Sequence, residues 1–161
     1  METSDELRFD HGDETPERLR RQFSRLVGMT AAQAGSVSGD ALGAVGAHKD
    51  HFVVLAALAE FGPASQATLA ERTRIYKSDL VSVLNDLAAG GWVRRDPDPV
   101  DKRRNVITVT DAGKHRLAEL DGVLAGVNEH IMAPLGSDER AQLFSLLDRI
   151  NAHLADVRRR A

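Results

Sequence analysis

Between Ser65 and Arg104 the chain gathers side chains suited to a polyanion rather than to bond-breaking chemistry. Lys77, Ser78, Asp79, Ser82 and Asn85 recur at the spacing of one helix face, opposite an apolar stripe of Leu80, Val83, Leu84 and Leu87. A face of that kind can enter a major groove and meet base edges. Lys77 can donate to guanine or to phosphate, and Ser82 and Asn85 can reach bases or backbone. Asp79 lies in the first turn, where the helix dipole favours an acid, and can accept from a cytosine amino group. Lys102, Arg103 and Arg104 follow as a basic run. From Arg72 to Arg104 eight basic residues stand against five acidic ones, leaving +3 inside a chain of net charge −3. Positive charge is therefore local, as contact with DNA phosphates requires of a chain that is not a polycation.

Histidine is the other chemistry-bearing type. His48 and His51 lie three apart at the start of a helix, and His115 sits on a later one. That spacing can hold a metal. With no cysteine anywhere and only Asp50 and Glu60 as neighbouring acids in the sequence, no metal and no cofactor is assigned. Solvent-exposed or hydrogen-bonded histidines are the simpler alternative. Lack of cysteine also excludes disulfides and thiol redox chemistry within the chain. There is no nucleophile–base arrangement, no glycine-rich phosphate loop and no carboxylate pair at telling spacing, so an enzyme is not expected.

The elements that must position these residues can be read from periodicity. Residues 1–16 are polar and acid-rich and read as a flexible arm; they do not resemble a signal peptide. From Glu17 a helical pattern runs through Leu19, Phe23, Leu26, Val27 and Thr30. Gly35 to Gly46 admits a weak helix, a bend or a close-packing surface. Phe52 to Phe61 predicts an apolar helix with Leu55, Leu58 and Ala59 inward, ended by Gly62-Pro63. Ser65 caps a short helix over Gln66–Arg72, and a break at Thr73–Tyr76 precedes a helix over Lys77–Ala89. Trp92–Arg95 and Asn105–Thr110 predict two strands around a long basic loop with its tip at Asp96–Pro99. Thr110 caps a helix to about Ile131, and Ser137 caps a last helix over Asp138–Arg159. No apolar run approaches the roughly 20 residues needed to cross a membrane. These features predict a cytoplasmic, mainly α protein with a small β-hairpin wing.

The run Ser65-Gln66-Ala67-Thr68-Leu69-Ala70-Glu71-Arg72, then Ser78 to Leu87 and Gly91-Trp92-Val93-Arg94-Arg95, resembles the multiple-antibiotic-resistance regulator (MarR) family. The most specific part is the wing, Asp98-Pro99-Val100-Asp101-Lys102-Arg103 followed by Val106-Ile107-Thr108-Val109-Thr110-Asp111-Ala112-Gly113. It is similar to the family's Asp-Pro-x-Asp-x-Arg wing. The resemblance implies a winged helix-turn-helix DNA-binding domain over 48–110, flanked by dimerisation helices over 17–47 and 111–161. It implies a homodimeric, sequence-specific transcriptional regulator, most often a repressor, on a palindromic operator. The DNA-facing residues would be Ser65, Gln66, Arg74, Tyr76, Lys77, Ser78, Asp79, Ser82, Asn85, Lys102, Arg103 and Arg104. Arg103 matches the wing arginine that enters the minor groove, and Asp101 the acid that orients basic residues. The family also implies a cleft for a small aromatic or phenolic effector, which His48, His51, Phe52 and His115 would border. Arg74, Tyr76, Asp79 and Ser82 depart from the usual glycine, aspartate, threonine and arginine at their positions. The alternative reading is a winged-helix module for protein contacts, or a regulator without an effector; the basic wing is what such a protein module would not need.

Overall fold

Leu80, Val83, Leu84 and Leu87 are all buried, together with Leu42, Leu55, Leu58, Leu69, Ile107 and Leu120. Each contributes about 1.5–3 kcal/mol by leaving water, and together they fix which face of each helix turns inward. A computed structural model describes residues 15–161. The expected arm at 1–16 lies outside the described residues, apart from Thr15 and Pro16. In chain order the elements are α1 (Glu17–Arg20), α2 (Phe23–Ala44), α3 (Lys49–Phe61), β1 (Ala64–Ser65), α4 (Gln66–Thr73), α5 (Lys77–Ala89), β2 (Val93–Pro97), β3 (Asn105–Val109), α6 (Asp111–Ile131) and α7 (Ser137–Arg160). The fold is a winged helix-turn-helix with long helices on either side in sequence.

The chain divides into two compact units, one ending at Leu124 and one spanning Ala125–Ala161. In the first, the strands form one antiparallel sheet in the order β1-β3-β2. Val93 faces Val109 and Pro97 faces Asn105 across the wing, while Ala64 pairs with Ile107. The expected hairpin thus gains a third strand. β1 is only two residues long, too short for any alternation to reveal it. The second unit holds the end of α6, a tight turn and α7. Arg140 ties that turn, donating from Nε to the Met132 and Leu135 carbonyls at 3.2 and 3.0 Å and from Nη1 to Glu129 at 2.7 Å.

Several local expectations shift. The helical pattern that begins at Glu17 breaks at Arg21-Gln22 and resumes as α2, which continues through Gly35, Gly39 and Gly43 to Ala44. The glycine-rich stretch is helical although each glycine costs about 1 kcal/mol against alanine. On α3, Ala59 is exposed and Val54 and Ala57 are buried instead. β2 starts after Trp92, and Asp96-Pro97 belong to it rather than to the tip. The last helix is capped at Gly136, whose N–H donates to Glu139 Oε1 at 2.9 Å, not by Ser137.

Candidate nucleic-acid interface

The helix-turn-helix is set by local hydrogen bonds. Ser65 Oγ accepts from the Thr68 N–H at 3.1 Å and starts α4 as expected, which commits that hydroxyl to the cap. Thr73 Oγ1 donates back to the Leu69 carbonyl at 2.7 Å and accepts from the Ile75 N–H at 3.4 Å. Arg74 then adopts the left-handed conformation at φ 59° and returns its N–H to the Ala70 carbonyl. It is the only non-glycine with positive φ among the described residues. That is the conformation for which glycine serves best, so the departure at Arg74 trades roughly 1–2 kcal/mol of local strain for a cation at the turn. Tyr76 stands at the start of α5 without a side-chain capping bond.

From there Tyr76, Lys77, Ser78, Asp79, Ser82 and Asn85 are all exposed, on the side of α5 opposite its buried leucines. Ser78 Oγ donates to Asp79 Oδ1 at 3.5 Å. Gln66 is half-buried at the first turn of α4. Sequence spacing therefore brought the α5 residues onto one accessible face.

The wing tip is organised by two aspartates. Asp98 Oδ1 accepts from the N–H groups of Val100 and Asp101 at 2.8 and 3.3 Å, a turn built by a side chain. The Asp98 N–H donates to the Arg104 carbonyl at 2.8 Å and closes the loop. Asp101 Oδ1 accepts from both the N–H and the Nε of Arg103 at 3.1 Å, and Asp101 Oδ2 lies 3.7 Å from Arg104 Nε. The Arg103 hydrogen bonds, side chain first, hold the Asp101 carboxyl below its ordinary range. Arg103 and Arg104 remain largely solvent-exposed beside it, so Asp101 aims them without covering them. Val100 is 95% exposed at the very tip.

A contact that the sequence did not reveal joins wing to helix. Arg95 on β2 donates from Nη2 to Asn85 Oδ1 on α5 at 2.8 Å. Arg95 was visible only as one more basic residue. The root of the wing carries another: the Arg116 guanidinium on α6 lies 4.7 Å from the Trp92 ring centre and donates to the Val45 carbonyl at 2.6 Å.

The histidines differ in burial and partners. His48 and His51 are close, with ring centres 3.7 Å apart. His51 is buried; its Nδ1 accepts from the His48 N–H at 3.2 Å, so Nε2 carries the proton and donates to Asp86 Oδ2 on α5 at 3.1 Å. Burial is the main cause that lowers the His51 pKa; the Asp86 hydrogen bond opposes it and the nearby His48 adds to it. Phe52 packs against the core, and His115 is exposed on α6. Asp86, which no neighbouring position advertised, is the residue that α5 adds to this cluster.

A profile described as the MarR family matches residues 40–104. The chain is 30% identical over 99 residues to the HTH-type transcriptional repressor NicR of Pseudomonas putida, covering 62% of this chain and 63% of that one. It is 32% identical over 101 residues to the transcriptional regulator HosA of Escherichia coli O111:H-, covering 63% and 74%. The match thus spans less than two thirds of NicR's own length and more than two thirds of HosA's. Among solved structures, wild-type MarR of Escherichia coli superposes with a TM-score of 0.72 at 22% identity, covering 80% of this chain and 96% of that one. BpsR of Bordetella bronchiseptica, whose DNA binding is regulated by 6-hydroxynicotinic acid, gives 0.70 at 21% identity, covering 84% and 97%. A mutant MarR of Escherichia coli complexed with operator DNA gives 0.66 at 23% identity, covering 79% and 91%.

Proposed function

The chain belongs to the MarR family of transcriptional regulators, DNA-binding proteins and not enzymes, and from that premise we propose that it is a repressor that binds a palindromic operator as a homodimer in the cytoplasm. The α5 face of Lys77, Ser78, Asp79 and Ser82 reads the major groove. Arg103 enters the neighbouring minor groove and Lys102 and Arg104 meet phosphates. Ser65, Gln66, Arg74 and Tyr76 flank the same groove from the turn, and Asn85 stands at its far end against Arg95. The observation that carries this reading is the wing: Asp101 holds Arg103 and Arg104 in place while leaving them open to a ligand.

Residues 17–47 and 111–161 supply the dimer helices, which set two wings on half-sites about one helical turn apart. Support comes from the apolar side chains α7 leaves exposed, Leu143, Phe144, Leu146, Leu154 and Val157. Release from DNA follows binding of a small aromatic or phenolic acid at a cleft bordered by His48, His51, Phe52 and His115. In support, a structural neighbour responds to such an acid.

The test is footprinting and titration on the DNA upstream of the protein's own coding sequence. Affinity should fall steeply with added salt, linearly on logarithmic axes. Arg103→Ala should weaken binding roughly 10- to 100-fold, as loss of one minor-groove arginine costs about 1–3 kcal/mol, and leave thermal unfolding unchanged. Binding as tight in that variant as in the native chain would sink the wing assignment. A screen of aromatic acids on the same footprint tests release.

A further inference from the structure

We propose that His48, His51 and Asp86 form a site for a zinc-like divalent transition-metal ion, one that joins the start of α3 to the DNA-facing helix α5. This goes beyond DNA binding and does not depend on it. One ligand atom from each of the three residues lies within 4.8 Å of the other two. A tetrahedral ion with bonds of about 2.0–2.1 Å sets its ligand atoms about 3.3 Å apart. His51 Nε2 and Asp86 Oδ2 already stand at 3.1 Å, and the His48 ring lies beside that of His51. Closing the triangle asks Asp86 Oδ2 to move off the His51 N–H axis and the His48 ring to turn off the face of His51 so that its lone pair meets the same ion.

The donor set selects the ion. Two imidazoles and one carboxylate suit zinc and its first-row neighbours; calcium and magnesium demand oxygen ligands throughout. His48 and Asp86 are exposed, which gives the ion an entry path, whereas His51 is buried and forms the floor. Three protein ligands leave a fourth position to water or a small anion. Binding at His51 Nε2 moves that nitrogen's proton to Nδ1, and no proton is released. Nδ1 then carries a proton and can no longer accept, so the 3.2 Å bond from the His48 N–H opens. The ion thus replaces two hydrogen bonds, His48 N–H to His51 Nδ1 and His51 Nε2–H to Asp86, with three metal–ligand bonds.

A hydrogen-bonded His51–Asp86 pair with a stacked neighbour is the plainer account of the same contacts. The two accounts differ in what His48 does. As a ligand it is required, whereas as a neighbour it is dispensable.

The experiment uses the full, untagged chain after stripping with a chelator. It is titrated with zinc chloride by calorimetry and with cobalt(II) chloride by visible absorption. The expected result is one ion per chain at micromolar zinc, with the absorption of a four-coordinate cobalt site. Zinc should also raise the melting temperature by about 5 °C at saturating excess. His48→Ala and Asp86→Asn, both surface changes, should each weaken zinc at least roughly tenfold, with their metal-free melting curves confirming that they fold. His153→Ala, on α7, serves as the control and should bind as the native chain does. Absence of saturable zinc binding, or zinc binding that either His48→Ala or Asp86→Asn leaves unchanged, overturns the proposal. Failure of DNA binding in the same preparation would count against the operator reading alone.

Discussion

Asp101 shows how a single carboxylate can organise a binding loop. It accepts three hydrogen-bonding or ionic contacts from the two arginines that follow it. Because those contacts depress its pKa in the folded chain, its contribution to wing order is present above the ordinary aspartate value and is lost as pH falls through the folded value. Carboxyl titration by NMR should therefore place Asp101 below the usual aspartate range, and Arg103→Gln should move it back up. An unshifted Asp101 in the native chain would mean that Arg103 does not rest on it. This pair was legible from the sequence because Asp98 to Arg104 is one short stretch. Asn85 with Arg95 and His51 with Asp86 were not, since their partners lie 10 and 35 residues apart and meet only when α5 packs. The sequence therefore showed which residues α5 exposes but not what grips them. Asn85, read as able to contact bases, already accepts one hydrogen bond from Arg95 at its oxygen.

At the scale of elements, the wing is fastened to α6 by a backbone approach that tolerates no side chain. A Cβ on Gly113 would collide with the Trp92 carbonyl oxygen and stand 2.7 Å from Val109 Cγ2. The same corner is sealed by Thr110, whose Oγ1 donates to the Gly91 carbonyl at 2.7 Å and accepts from the Gly113 N–H at 3.0 Å. Gly113→Ala should destabilise the chain by about 3 kcal/mol, the upper end for overpacking, because a carbonyl and a strand must shift to admit the methyl group. Chemical denaturation measures this; a loss below about 0.5 kcal/mol, the size of an ordinary surface change, would show that α6 sits further off. The end of the wing strand and the cap at Thr110 could be read from residue type. The two-residue β1 could not, for it exists only because Ala64 meets Ile107 from across the sheet. The resemblance marked Arg74 only as standing where glycine is usual, and the backbone there is left-handed without glycine.

For the molecule as a whole, the two ends of the chain contrast. The unit up to Leu124 buries a continuous core, whereas α7 has no buried residue and exposes Phe144 at 54% and Leu154 at 50%. Large apolar side chains left open along a long helix mark an association surface. The native chain should sediment as a dimer at micromolar concentration, and Leu146→Asp should yield a folded monomer with much weaker operator binding. A native monomer at that concentration would remove the basis for a palindromic site. The apolar period of α7 can be read in the sequence, but period alone does not say whether a helix covers its own domain or another copy; sedimentation separates the two.

The Arg116 guanidinium gives the domain a mechanical property. One edge is anchored on the Val45 carbonyl, where α2 gives way to α3, and its flat face bears on Trp92, the residue from which β2 springs. A guanidinium is a rigid plane and cannot stretch. The junction and the foot of the wing therefore share one side chain, and a tilt of either has to be taken up by the torsions of the Arg116 stem or break one of its two contacts.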